Sequence, residues 1–261
     1  MLIRLSLCSA TAEPVLKEFS LAIAPGQKVG ICGRTGRYET PSLTRHRITN
    51  TGLHTEITFS GKSTLILALL RLIDLTEGEI AIDGIPVSAT PRDTLRRRAI
   101  TAMPQDPLIL PGSIRSNMDP FSQYPDEAII SVFEEVQLWS IISARGGLDV
   151  SADSLALSRG QQQLFCLARV LLSESPIVVF DEVTANVDRD TAARVMEIIN
   201  TKFVSRTVLV IAHQLWTIRQ FDQIAVLEQG RLIELGDPEE LLQQETAFRR
   251  LWRGHHAEGD S

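Results

Sequence analysis

Phosphate-binding residue types occur in two stretches of the chain. KVGICGRTG runs from Lys28 to Gly36, and SGKSTLILALLRL from Ser60 to Leu72. Read without Arg37 to Phe59, they join as GRTG-SGKST, a complete G-x-x-x-x-G-K-[ST] loop between an apolar strand and an apolar helix. Gly33, Gly36 and Gly61 let backbone N–H groups turn inward on phosphate oxygens, with Arg34, Thr35 and Ser60 completing the curl. Lys62 is placed to reach the β- and γ-phosphates of a nucleotide, and Ser63 and Thr64 follow it, with Ser63 the expected ligand of Mg²⁺. The start of the helix adds its partial positive charge.

A second group of residues sits in IVVFDE, Ile177 to Glu182. Four apolar residues put a strand at a sheet centre, and Asp181 emerges at its carboxyl end, where α/β sheets bind ligands. Beside a phosphate loop, such an aspartate supports Mg²⁺ and Glu182 is placed to polarise water as a general base. A strand that merely ends in two acids reads the same way. The third group is LSRGQQQL, Leu157 to Leu164. Ser158 and Gly160 open a long helix, so a hydroxyl and backbone N–H groups point at an anion. Taken alone, that is also an ordinary capped helix.

The elements that must position these residues alternate between strand and helix. Strands are expected over 2–7, 15–24 and 28–32, a helix over 62–72, a strand over 79–83 and a basic helix over 93–98. A mainly helical stretch follows from about 113 to 172, with helices at 126–137, 139–144 and 160–172. The α/β pattern then returns: strands at 176–180, 207–211, 223–227 and 231–234, and helices at 189–200, 215–220, 238–243 and 246–252. Residues 1–253 read as a single domain and 254–261 as a disordered tail.

Taken together, the order of these motifs resembles the nucleotide-binding domain of ATP-binding-cassette (ABC) proteins. LSRGQ is similar to the family signature, Leu157, Ser158, Arg159, Gly160 and Gln161. Gln105 in MPQDP looks like the glutamine that contacts Mg²⁺ and the transmembrane domain. Ala185 to Asp188 resembles the D-loop, and His213 in VIAH the switch histidine near the γ-phosphate. PQDPLILPGSIRSNMDPF, GQQQLFCLAR and VIAHQLWTI are similar to the second nucleotide-binding domain of the multidrug-resistance-associated (C-type) subfamily.

The resemblance implies a P-loop α/β fold: a RecA-like core, an antiparallel β subdomain and a helical subdomain. It implies an ATPase that uses ATP and Mg²⁺, with Glu182, His213 and Gln105 catalytic and Ser63, Gln105 and Asp181 at the metal. Partners would be a second such domain, paired head to tail across two ATP molecules, and the membrane domains of an exporter of organic solutes. The site would then be the cytoplasmic face of a membrane.

Composition fits. The chain is 44% hydrophobic and 22% charged, which is globular, and its net charge of −6 argues against duplex binding. Cys8, Cys32 and Cys166 form neither a disulfide framework nor a metal pattern. No run of 18 apolar residues is present, so no spanning helix is expected.

Two features depart from the family. Met1 to Leu16 contains no aromatic residue to stack on adenine. The 23 residues from Arg37 to Phe59 also divide the phosphate loop. Codons available to Arg37-Tyr38-Glu39 include GTATGA, like a 5′ splice site. Those of Phe59-Ser60 include a 3′ acceptor, and those of Thr49-Asn50 a branch-like ACTAAC. A retained intron of 69 bases, in frame, accounts for the 23 residues, and its removal restores GRTGSGKST. A genuine inserted loop gives a different expectation: an ABC-like binding or regulatory module that does not hold ATP.

Overall fold

The computed structural model describes residues 2–7, 15–33 and 61–258. In chain order its strands are β1 (Leu2–Leu7), β2 (Leu16–Ala22), β3 (Lys28–Cys32), β4 (Glu77–Ile82), β5 (Ile85–Pro86), β6 (Ile100–Met103), β7 (Ile177–Asp181), β8 (Thr207–Ile211), β9 (Gln223–Glu228) and β10 (Arg231–Gly236). The helices are α1 (Gly61–Leu69), α2 (Arg92–Thr94), α3 (Ile114–Met118), α4 (Asp126–Glu135), α5 (Trp139–Ala144), α6 (Arg159–Leu172), α7 (Arg189–Lys202), α8 (Pro238–Gln243) and α9 (Ala247–Glu258).

Unbroken apolar runs make the larger sheet. Its order is β10-β9-β3-β8-β7-β6. Every neighbouring pair is parallel except β10 with β9. All five residues of β8, TVLVI, are buried, as a parallel strand covered on both faces requires. Side chains along these strands alternate between two cores. Val178, Phe180, Val208 and Val210 face one, and Ile177, Val179, Leu209 and Ile211 face the other. The first core is closed by α6 through Phe165, Leu167 and Ala168. The Phe165 ring lies 5.2 Å from that of Phe133 on α4. The second core is closed by Leu65, Ala68 and Leu69 of α1, with Phe19 and Leu21 of β2. Burying each such side chain contributes roughly 1.5–3 kcal/mol.

The smaller sheet, β2-β1-β4-β5, is antiparallel. In β2, LKEFSLA, buried and more exposed positions alternate after Leu16, the pattern of a sheet with one wet face. A parallel core, an antiparallel sheet and a helical stretch from α3 to α6 thus give the three parts of the expected architecture.

Some elements differ from the sequence reading. The basic helix expected over Asp93 to Arg98 is present, but it begins as the short α2 and widens into a π-helical turn over Leu95–Ala99. Leu95 is the one buried residue of that turn, and Arg96 is tied sideways to the carbonyls of Leu70 (2.8 Å) and Arg71 (3.0 Å). Strand β6 and helix α3 were not apparent in the sequence, both being short. Helix α9 runs on to Glu258, through the start of the stretch read as a tail. Trp216 is 39% exposed.

Candidate functional site

Strand order decides which residues meet. β3, β8 and β7 are neighbours in the parallel sheet, so their carboxyl ends lie side by side. Gly33 follows β3, Glu182 follows β7, and Ala212-His213 follow β8. Two backbone bonds lock these ends: Ala212 N–H donates to Ile31 O at 3.0 Å, and Glu182 N–H to Ile211 O at 3.0 Å. Gly33 adopts φ +149°, and a Cβ there would lie 1.8 Å from the Leu227 carbonyl oxygen. Only glycine fits so close to β9.

Lys62 enters this corner from the first turn of α1. It is 3% exposed, and its Nζ donates to Gly33 O at 3.1 Å. Burial lowers its pKa, against the opposing charges of Glu182 and Asp181. Ser63 is half-buried and Thr64 buried beside it. Arg34, Thr35, Gly36 and Ser60 lie outside the described residues, as do Cys8 and the segment Arg37 to Phe59.

The two carboxylates have different surroundings. Asp181 Oδ1 is buried without a hydrogen-bond partner among the described residues. Burial raises its pKa to about 6, with the neighbouring Glu182 charge adding to the shift and Lys62 and His213 opposing it. Glu182 sits in the left-handed region at φ +50°, and its Oε1 lies 2.6 Å from His213 Nε2. A carboxylate paired so closely with an imidazole, beside a buried ammonium, can move a proton while a polyanion is held at the helix start. An unpartnered, buried carboxylate oxygen suits a hard cation such as Mg²⁺. Gln105 is exposed in the loop after β6, the strand beside β7.

The residues around 157–161 form a second group, on α6. Ser158 caps the helix reciprocally: its Oγ accepts from Gln161 N–H at 3.3 Å, and Gln161 Oε1 accepts from Ser158 N–H at 3.0 Å. Leu157 is half-buried, and Ala156 before it turns left-handed at φ +44°. Gly160 abuts α7: a Cβ there would meet Thr191 Oγ1 at 3.0 Å. Thr191 in turn donates to Asp188, from N–H to Oδ1 at 2.9 Å and from Oγ1 to Oδ2 at 2.7 Å. These bonds hold the Asp188 carboxyl below the usual range. Asp188 and Gly160 are therefore joined through one threonine, which the sequence reading did not single out.

Two contacts join the groups. Arg159 pairs with Asp106, next to Gln105. Gln163, buried on α6, donates its amide to Val183 O at 2.9 Å. Neither was apparent in the sequence, because each pairing spans distant segments. The clue for Gln163 is its place on the apolar face of α6, between Gly160 and Leu167.

Comparison with known proteins shows the family. A family model described as "ABC transporter" matches residues 59–185, entering the chain at Phe59, the last residue of the interrupting segment. An "ABC multidrug transporter B" of Aspergillus fumigatus is 43% identical over 92% of the chain, which spans 15% of that relative. "ATP-binding cassette sub-family C member 8" of Rattus norvegicus is 38% identical over 91% of the chain, which spans 14% of it. A solved bacterial Atm1-family ABC exporter with ATP bound superposes at TM-score 0.81 and 26% identity, covering 98% of this chain and 41% of that one. Among the described residues no helix is long and apolar enough to cross a membrane.

Proposed function

The chain belongs to the ABC transporter family, and from that premise we propose that it is the motor domain of an exporter, binding and hydrolysing Mg-ATP. The observation that carries this reading is the junction of β3, β7 and β8, where Lys62, Asp181, Glu182 and His213 gather with Glu182 Oε1 2.6 Å from His213 Nε2. ATP phosphates would lie at the start of α1 against backbone N–H groups, with Lys62 neutralising charge. Asp181, Ser63 and Gln105 would hold Mg²⁺ through oxygen atoms. When bound, that ion neutralises charge on the phosphates. Glu182 takes a proton from a water, the resulting hydroxide oxygen bonds to the γ-phosphorus, and the bond to the ADP oxygen breaks. His213 orients Glu182 and faces the phosphate as charge develops.

Ser158, Gly160, Gln161 and Asp188 stand at helix starts on α6 and α7. In this reading they serve the ATP of a second cassette paired head to tail. Membrane domains would complete the transporter, place this domain at a cytoplasmic face and carry an organic solute. Segment 37–59 is proposed to be a retained intron, because the flanks rejoin without it as GRTGSGKST.

The test is Glu182→Gln in the form without residues 37–59: it should keep ATP binding and stop turnover, and unchanged hydrolysis would remove Glu182 from the mechanism. The interruption between Gly33 and Gly61 favours a second reading, a regulatory fragment that does not hold ATP. Equilibrium binding of ATP to the full chain separates the two, since micromolar affinity excludes the fragment. Sequencing the transcript across codons 30 to 70 tests the intron: absence of the 69 bases from mature message supports it, and their persistence refutes it.

A further inference from the structure

We propose that Gln163 is a positioning residue for Glu182, fastening the backbone of the base to the helix that begins at Ser158. The proposal rests on the reading of Glu182 as the base. Glu182 is held at φ +50°, a conformation that a residue with a side chain keeps only where its surroundings over-determine it. Three hydrogen bonds do so here. Two are backbone bonds that most residues at 182 would make: Glu182 N–H to Ile211 O at 3.0 Å and Ala185 N–H to Glu182 O at 2.9 Å. The third is the Gln163 amide on Val183 O, 2.9 Å, and of the three it alone is made by a side chain.

Gln163 is 2% exposed, a burial that glutamine seldom has unless its amide is bonded. Its neighbours are engaged elsewhere. Gln161 closes the cap on Ser158, and Gln162 donates to Leu157 O at 3.2 Å. Of the three consecutive glutamines, Gln163 is the one that reaches the turn after β7. It stands less than two turns into α6, so displacement of the cap at Ser158 is transmitted to Val183 through a single amide. Alignment of the base would thereby follow the position of α6.

Two variants of the full chain separate positioning from packing. Gln163→Glu keeps the shape but loses the donor, and Gln163→Met keeps the bulk with no polar atom. Amide hydrogen exchange is read at residues 182–185 and, as a control, at 178–180 inside β7. Exchange at 182–185 should rise by roughly tenfold or more, with 178–180 unchanged. No rise in Gln163→Met, or an equal rise in the control strand, would overturn the proposal. ATP turnover supplies the second readout: kcat should fall by at least roughly tenfold at unchanged KM. Faster exchange at 182–185 with full kcat would also overturn it. A wild-type full chain that turns over no ATP is the outcome expected of the interrupted phosphate loop, and the exchange data then decide the clamp alone.

Discussion

Gly33→Ala tests whether the end of β3 is shaped by sterics. The new Cβ would lie 1.8 Å from Leu227 O and 2.8 Å from Leu227 C, both backbone atoms. Leu227 cannot retreat, because β9 is paired with β3 on one side and β10 on the other. Backbone strain at φ +149° and overpacking each cost about 1–3 kcal/mol, together about 2–6 kcal/mol. With a urea m-value of about 3 kcal/mol/M, the unfolding midpoint should drop by roughly 0.7–2 M. Gly61→Ala is the control from the same loop. Its Cβ would approach Leu16 Cδ2 at 3.2 Å, the end of a side chain and not backbone, which has to give by only a few tenths of an ångström, and alanine favours the helix. That variant should stay within about 0.3 M of wild type. Equal shifts in the two variants, or a Gly33→Ala midpoint within about 0.3 M of wild type, would refute the steric argument.

Three further outcomes are expected. Asp188 has a folded pKa below its unfolded value of about 3.9, so its stabilisation is full above that pH and is lost as pH falls through the folded value. Thermal melts should show wild type losing ground to Asp188→Asn as the medium is acidified below about pH 4, and a difference constant with pH contradicts this. Phe180→Ala removes a fully buried ring set edge-on to Phe203 at 5.7 Å, and should cost about 3–5 kcal/mol in urea unfolding. Burial pushes the Cys32 thiol up to about 12 and the Cys166 thiol up as well, so neither should label with a maleimide at neutral pH until the chain is unfolded. Rapid labelling of either in the native protein would contradict their burial.

Local signals were strong where one strand or one helix end decides the outcome. The runs KVGIC and TVLVI have the bounds read from the sequence, because strands covered on both faces are near-continuous apolar runs, here after a polar first residue. Ser158 at a helix start was legible for a similar reason, its side chain capping three residues on. Pairings across the fold were not legible. Thr191 under Gly160, Asp106 on Arg159 and Gln163 on Val183 join residues whose meeting depends on how α6 and α7 lie, and no spacing encodes that. The Arg96-Arg97-Arg98 run was legible as helix, but not its π-helical winding, which accompanies bonds from Arg96 to the carbonyls of Leu70 and Arg71.

The neighbours of β3 also bear on how the chain is made. β3 ends at Cys32, yet its partners are β8, from Thr207, and β9, ending at Glu228. Nearly the whole chain must leave the ribosome before this strand can be flanked on both sides. At about 5–20 residues per second, that wait is on the order of 10–40 s. During it KVGIC has two open edges and no sheet around it, the state in which a strand pairs with the wrong molecule. Yield during synthesis should therefore respond to elongation speed and to chaperone supply more than to equilibrium stability.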